Sequence, residues 1–355
     1  MNRFIHILLI LFGYFIGLSA QSEEIYYRLS EPTVVRPLTL YRGQLQFNTL
    51  LHHQTGNSLY DREGSKLPFN ESARNYLANN FHFELGYGIM DFLDLTASIA
   101  LYNEIETLPT YYILNMETGG EYNTLYHTKG LDNLDLLIRI RQPFLPTGLD
   151  FALSGGFSFP IFSQDPQQPE HTIHLYDPTD PGGSFTLNYL YRPRPDYNTI
   201  FYTAGGEVKY RDEKYSLYLG GSWQAPVREE ATTIWNHRLY GDQFLYRTET
   251  AQRMPAGTLQ LEAMTAIQFY PWFACIGSFR HHSESGGWSE ETGSRISLPG
   301  VALGSISPGF EIQVTTHIRF LQFFDIPLYG KENYAVFSIR SGLSINVVPL
   351  KGFYY

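Results

Sequence analysis

Between Leu93 and Tyr102 the chain alternates in character. Leu93, Leu95, Ala97, Ile99 and Leu101 fall on one set of positions, and Asp94, Thr96, Ser98, Ala100 and Tyr102 on the other. Successive strand residues point to opposite faces, so this pattern predicts a strand with one apolar and one polar side. The end of the chain repeats it, with Phe337, Ile339, Leu343, Ile345 and Val347 opposed by Ser338, Arg340, Gly342, Ser344 and Asn346. Comparable segments run from Tyr41 to Leu51, Leu77 to Tyr87, Leu134 to Arg141, Phe151 to Pro160, Thr199 to Tyr210, Tyr215 to Gln224, Leu259 to Phe269 and Phe273 to His282. Val301 to Val314 and Ile318 to Ile326 are weaker, because both of their faces carry apolar residues. The result is about twelve strands of roughly ten residues, the length that crosses a bilayer at the tilt of a barrel.

The connections alternate too. His52 to Arg74, Asn103 to Gly130, Ile161 to Asn198, Ala225 to Thr258 and Ser283 to Gly300 are long and rich in Gly, Pro, Asn, Asp and Ser. Between them stand tight turns at Gly88 to Asp91, Arg211 to Lys214, Tyr270 to Pro271 and Thr315 to Thr316, with Gln142 to Leu149 slightly longer. Aromatic residues gather near strand ends, among them Tyr41, Tyr87, Phe92, Tyr102, Tyr210, Tyr215, Trp223, Tyr270 and Trp272, where a ring has one dry and one wet side. These three signals predict an all-β chain folded as a transmembrane antiparallel up-and-down β-barrel of about twelve strands, with long extracellular loops and short periplasmic turns. A secreted soluble sandwich accounts for the alternation but not for the regular long and short connections.

Residues Met1 to Ala20 read as a secretory signal peptide: Arg3 beside the free amine, an apolar run from Phe4 to Leu18, and the small exit Ser19-Ala20. Gln21 to Leu38 is then expected as a periplasmic N-terminal segment and residues 39–355 as the barrel. Pro32 and Pro37 mark that segment, which could enter the barrel from below. The chain has 355 residues, 16% of them aromatic, and a net charge of -10. That balance offers no electrostatic footprint for nucleic acid. The single cysteine, Cys275, leaves no intrachain disulfide to stabilise an exported protein, so burial and hydrogen bonding must do it.

Charges of both signs on the polar face are intolerable against lipid, so that face is expected to line the interior. The expected lumen-lining residues are Arg42, Glu84, Asp94, Asp135, Arg139, Glu207, Lys209, Glu262 and Arg340. They either hold a hydrated barrel in shape or select a solute. The Pro-rich loop Ile161 to Asn198 is long enough to fold inward and constrict the lumen.

Several segments resemble a group of bacterial outer-membrane barrels described as transporters linked to the degradation of phenol-like compounds. GYGIMDFLDLTASI, from Gly86 to Ile99, is similar to that group's first periplasmic turn and the strand after it. KGLDNLDLLIRIR (Lys129 to Arg141), GGFSFPIF (Gly155 to Phe162) and PLYGKENYAVFSIRSGLSI (Pro327 to Ile345) resemble a strand opening, a strand ending in Pro, and the last extracellular turn with the final strand. About a quarter of the chain is covered. The resemblance implies passage of small molecules, hydrophobic ones among them, in a bacterial outer membrane. Tyr355 is the terminal aromatic that barrel-assembly machinery reads, but Pro349 interrupts the approach to it.

One motif points to chemistry instead. In GSFRHHSESGG, from Gly277 to Gly287, His281 and Ser283 are two apart and share the face of Phe273, Gly277 and Phe279. This resembles the arrangement of outer-membrane phospholipases and lipid A deacylases, with Glu290 in the next loop as a third group. A lipid hydrolase is therefore the alternative to a channel, and a passive anchor with partner-binding loops is a third reading. His52-His53 and His171-Thr-Ile-His174 lack the companions of a metal site. Neither a metal nor a cofactor is expected. The expected partners are outer-membrane lipids, a small-molecule solute and the assembly machinery.

Overall fold

The computed structural model describes residues 37–68, 75–112, 120–142, 148–161, 169–176, 184–190, 199–227, 232–240, 245–253, 257–286, 288–291, 294–297, 300–331 and 333–347. The signal peptide, most of the N-terminal segment, Pro349 and Tyr355 lie outside these residues. Twelve long strands form the wall: β1 (Leu45–Tyr60), β2 (Asn75–Met90), β3 (Leu93–Tyr112), β4 (Leu134–Arg141), β5 (Leu149–Phe159), β6 (Phe201–Arg211), β7 (Tyr215–Pro226), β8 (Thr258–Tyr270), β9 (Phe273–Glu284), β10 (Val301–Gln313), β11 (Ile318–Lys331) and β12 (Asn333–Val347). Each pairs antiparallel with its sequence neighbours. The ring closes because β1 pairs with β2 on one side, Leu45 opposite Tyr87, and with β12 on the other, Leu45 opposite Val347. Closure removes the free edges that a sheet cannot leave unpaired in hydrocarbon.

The alternation becomes an inside and an outside. Leu95, Ile140, Leu153, Phe157, Leu217 and Leu219 are exposed, Leu219 at 62%, while Asp94, Asp150, Ser307 and Asn346 from the other face are sealed away. The aromatics sort by end. Tyr87, Phe92, Tyr210, Tyr215, Tyr270 and Trp272 are exposed around the short-turn end, and the rings of Tyr270 and Trp272 stack 5.5 Å apart. Trp223, also exposed, lies toward the long-loop end of β7. Tyr102 departs from this girdle: it is 3% exposed and faces inward, as its place opposite Leu101 requires.

Strand number agrees with the sequence pattern, but strand length does not. β1 begins four residues later than expected because Tyr41 and Gln44 close a turn, Gln44 N–H donating to the Tyr41 carbonyl at 2.9 Å. That turn is seated against the end of β2, where Gly88 has no side chain: a Cβ there would stand 1.9 Å from the Tyr41 oxygen. At the other end the strands run past the apolar band into segments expected to be loop. β3 continues to Tyr112 and pairs with Gly120–Leu131, which forms an arm above the wall. The Pro-rich loop contains a hairpin of Pro169–Tyr176 with Ser184–Leu190, which packs beside that arm. β11 and β12 are joined through residue 332 alone. Asp212 shows how the short turns close: it accepts the Glu213 N–H at 2.7 Å, which holds its carboxyl below the usual carboxylate range, while its own N–H donates to the Tyr215 carbonyl.

The outward face must stay apolar in the middle of the wall. Leu219→Arg is expected to destabilise the barrel by about 2–4 kcal/mol, the cost of a cation near the bilayer midplane. Denaturant titration of the protein folded into vesicles measures it, and a change within error of zero would mean that this face does not meet hydrocarbon.

Candidate lumen and N-terminal strap

Eight of the nine expected lumen residues point inward. Asp94 is 1% exposed and Lys209 8% exposed. Glu84 accepts the Asn48 amide at 2.6 Å, and Asp135 accepts Ser98 Oγ at 3.5 Å. Arg139 faces Glu207 at 3.9 Å, Glu262 faces Arg280 at 3.5 Å, and Arg340 grips Asp325 at 2.8 Å. Arg42 is the correction. It lies exposed in the turn before β1, at the short-turn rim, with its N–H donating to Asp91 Oδ1 at 2.9 Å. The alternation that placed it in a strand begins only after that turn.

The inward charges are used first on the chain itself. Residues 37–40 enter the lumen at the short-turn end and are fixed there by their backbone. Leu38 N–H donates to Asp150 Oδ2 at 2.9 Å, Leu40 N–H donates to Asp94 Oδ2 at 2.9 Å, and Arg139 donates to the Leu38 carbonyl at 2.6 Å. Thr39, 3% exposed, donates its hydroxyl to the Asp91 carbonyl at 2.9 Å. A segment outside the sheet thereby finds partners for its backbone on three strands of the wall, β3, β4 and β5. The expectation that this segment enters the barrel holds for Pro37 and Leu38; residues 21–36 lie outside the described ones.

Asp325 organises a second cluster, on β11. It takes Arg340 through both Nε and Nη2, at 2.8 and 2.9 Å, and accepts the hydroxyls of Ser338, at 2.7 Å, and Ser307. His52 stands 3.7 Å away. The Arg340 guanidinium also covers the Phe323 ring at 4.7 Å. Asp325, Arg280 and Asp150 are not among the expected lumen residues, and His52 is weighed in the sequence only as a metal ligand. Asp325 is hidden within Phe323-Phe324-Asp325-Ile326, where apolar residues on both faces obscure the period. Arg280 was legible, since it alternates with Ser278 and His282.

Between these clusters lie two cavities. The one at the short-turn end, about 530 Å³, is bordered by the strap and by an apolar wall that includes Met264, Ile276, Leu321 and Phe323. The one toward the long loops, about 480 Å³, is lined by groups such as Gln54, Asn80, Gln260 and Ser305. Tyr76 and Tyr334 stand at its rim, their rings stacked 4.8 Å apart. Glu207 and Tyr218 border both cavities.

Among the described side chains, His281 and Ser283 are not hydrogen-bonded to each other. His281 and Ser283 share the outward face, but His281 Nδ1 is hydrogen-bonded with the Tyr329 hydroxyl at 2.9 Å, and the two rings stack. Ser283 lies one row further up, in register with Leu259 and Ala302. The strand Trp288–Glu291, which carries Glu290, pairs with Leu245–Arg253 instead; the side chain of Glu290 is outside the described ones. His52 and His53 point to opposite faces, His52 toward Ser338 at 2.9 Å and His53 toward Asn79 at 2.8 Å, so they cannot share a metal.

Solved structures of the same architecture exist. An outer-membrane channel of Pseudomonas putida F1 superposes with a TM-score of 0.55 at 13% identity, over 89% of this chain and 99% of that one. The fold is that of an outer-membrane barrel. The Ralstonia pickettii toluene transporter TbuX has a TM-score of 0.43 at 7% identity, over 88% of this chain and 90% of that one. The transport unit of the Escherichia coli autotransporter AIDA-I has a TM-score of 0.44 at 11% identity, over 94% and 100%. No protein-family model matches the sequence. No curated protein matches it either.

Two outcomes follow from these clusters. Asp325→Ala leaves Arg340 buried without its carboxylate and should cost about 3–5 kcal/mol, read by denaturant titration, whereas truncating an exposed charge such as Arg62 should cost less than about 1 kcal/mol. Arg139→Ala combined with Asp94→Ala removes two of the strap's anchors. Limited proteolysis of folded protein in detergent should then cut near Leu38 at least about tenfold faster, since opening by about 1.4 kcal/mol raises the open population tenfold. Equal cutting rates would show that the strap does not depend on these residues.

Proposed function

We propose that the chain is exported through its N-terminal signal, assembled in a bacterial outer membrane, and serves there as a channel for small uncharged molecules, hydrophobic ones among them. The long loops face outward and the short turns face the periplasm. The observation that carries this reading is a closed barrel holding two cavities in series, with four ion pairs turned inward: Arg139 with Glu207, Arg280 with Glu262, Arg319 with Glu311, Arg340 with Asp325. Each of these pairs cancels its own charge, so none draws an ion of one sign and the path suits neutral solutes, while the inward carboxylates Glu84, Asp94 and Asp135 tilt residual ion passage toward cations. The apolar wall of Met264, Ile276, Leu321 and Phe323 offers hydrophobic contact before the periplasmic exit. Passage requires the strap at Leu38 to Leu40 to yield, because it occupies that exit. The partners on this reading are the solute, the surrounding lipid and, during assembly, the machinery that reads a C-terminal aromatic.

Planar-bilayer conductance and proteoliposome flux test the reading together. Wild-type protein should pass small uncharged solutes while conducting ions weakly, with cations preferred over anions. Disrupting the strap anchors should raise the flux by about an order of magnitude if the strap limits it. Absence of both current and flux, in wild type and in the strap variant alike, would remove the channel reading.

A further inference from the structure

Tyr218 occupies an unusual place in the wall. It sits on β7, faces the lumen, and borders both cavities. Its ring does not reach across the barrel; it lies back along its own strand upon Gly220, so closely that a Cβ on Gly220 would stand 2.2 Å from the Tyr218 hydroxyl. Gly220 is in register with Glu207 of β6 on one side and with Glu262 of β8 on the other. Each of those carboxylates is tied on its far side, Glu207 to Arg139 and Glu262 to Arg280. A transverse belt therefore draws on five of the six strands from β4 to β9, reaching over β5: Arg139, Glu207, Tyr218 over Gly220, Glu262 and Arg280. It separates the cavity with the apolar wall from the cavity lined by amides and hydroxyls.

We infer that Tyr218 sets the size limit for passage between the two cavities and is thus a specificity-determining residue of the channel. The inference rests on the transport reading above. Within the belt, each carboxylate is held by one arginine on its far side, so its position is set by charge. The Tyr218 hydroxyl makes no hydrogen bond among the described residues, and the ring is kept in place by packing on Gly220. A packed ring beside a bare glycine is the movable part of an otherwise tied belt. Its volume, rather than its hydroxyl, decides how wide the junction is.

The test is swelling of proteoliposomes in glycerol, a pentose, a hexose and a disaccharide, using the mature full-length chain. Tyr218→Ala should raise hexose and disaccharide entry by about fivefold or more while leaving glycerol within about twofold of wild type. Tyr218→Phe keeps the ring and should follow wild type. Gly220→Ala lifts the ring into the junction and should lower hexose entry. Tyr218→Ser replaces the alanine variant if the latter loses the heat-sensitive gel mobility of a folded barrel. Wild-type entry with an unchanged size profile in Tyr218→Ala, or opening by Tyr218→Phe as large as by Tyr218→Ala, would overturn the assignment and leave the channel standing. No entry of any solute in any variant would overturn both.

Discussion

Every backbone N–H and C=O that meets hydrocarbon must find a partner within the protein, and the pairing of β1 with β12 is where this chain meets that demand. The two strands are far apart in sequence, yet they run in register from Leu45 opposite Val347 to Gly56 opposite Val336 before a bulge near Leu59. Were that seam open, two long edges would face lipid. With it closed, the polar groups of the wall are spent on one another, and side-chain chemistry is free to differ between the two faces. The apolar exterior and the charged interior both follow from this one closure.

The interior then faces its own version of the same demand. Charges turned away from lipid are confined in a narrow space where an unpaired one is costly. The barrel answers in two ways. Some charges pair across adjacent strands, as Glu311 does with Arg319 at 3.2 Å, and Asp325 with Arg340. Others are given a backbone to hold: Asp94, Asp150 and Arg139 bind the strap rather than only each other. The strap is therefore not an appendage in the exit but part of the charge balance of the wall. Arg139 serves both arrangements, touching the Leu38 carbonyl and facing Glu207, and so links the strap at the short-turn end to the belt at Tyr218.

The fold was legible because a barrel writes its geometry locally. A period of two gives the face, and the spacing of turns gives the strand order, so Leu93 to Tyr102 could be oriented from ten consecutive residues. Strand length was less legible. Above the membrane band no solvent forces alternation, and β3 continues to Tyr112 through residues whose polarity reads as loop. β11 was obscured for a different reason: Leu321 and Phe323 turn inward onto Met264 and Ile276, so an apolar interior wall erased the contrast and hid Asp325 with it. The site was half legible. That Asp94 and Arg139 face inward follows from alternation, but that they clamp Leu40 and Leu38, 54 and 101 residues away, depends on closure and has no local signature. The His281-Ser283 spacing shows the converse, since a shared face brought them near without bringing them together.

The division of the interior into unlike halves is a consequence of the same constraint. The apolar wall inside the barrel borders the same cavity as Leu38 and Leu40 of the strap. The strap can lie there only because Asp94, Asp150 and Arg139 satisfy its backbone, so the hydrophobic wall and the polar clamp depend on each other. A solute able to replace the strap must supply apolar surface against Ile276 and Phe323, while the freed clamp residues return to pairing among themselves and with water. The cost of opening is then shared between a hydrophobic exchange, which is nearly neutral for an apolar solute, and a polar exchange, which is not. On the proposed channel reading, the polar part keeps the exit closed in the absence of solute, and it is borne by three residues on β3, β4 and β5.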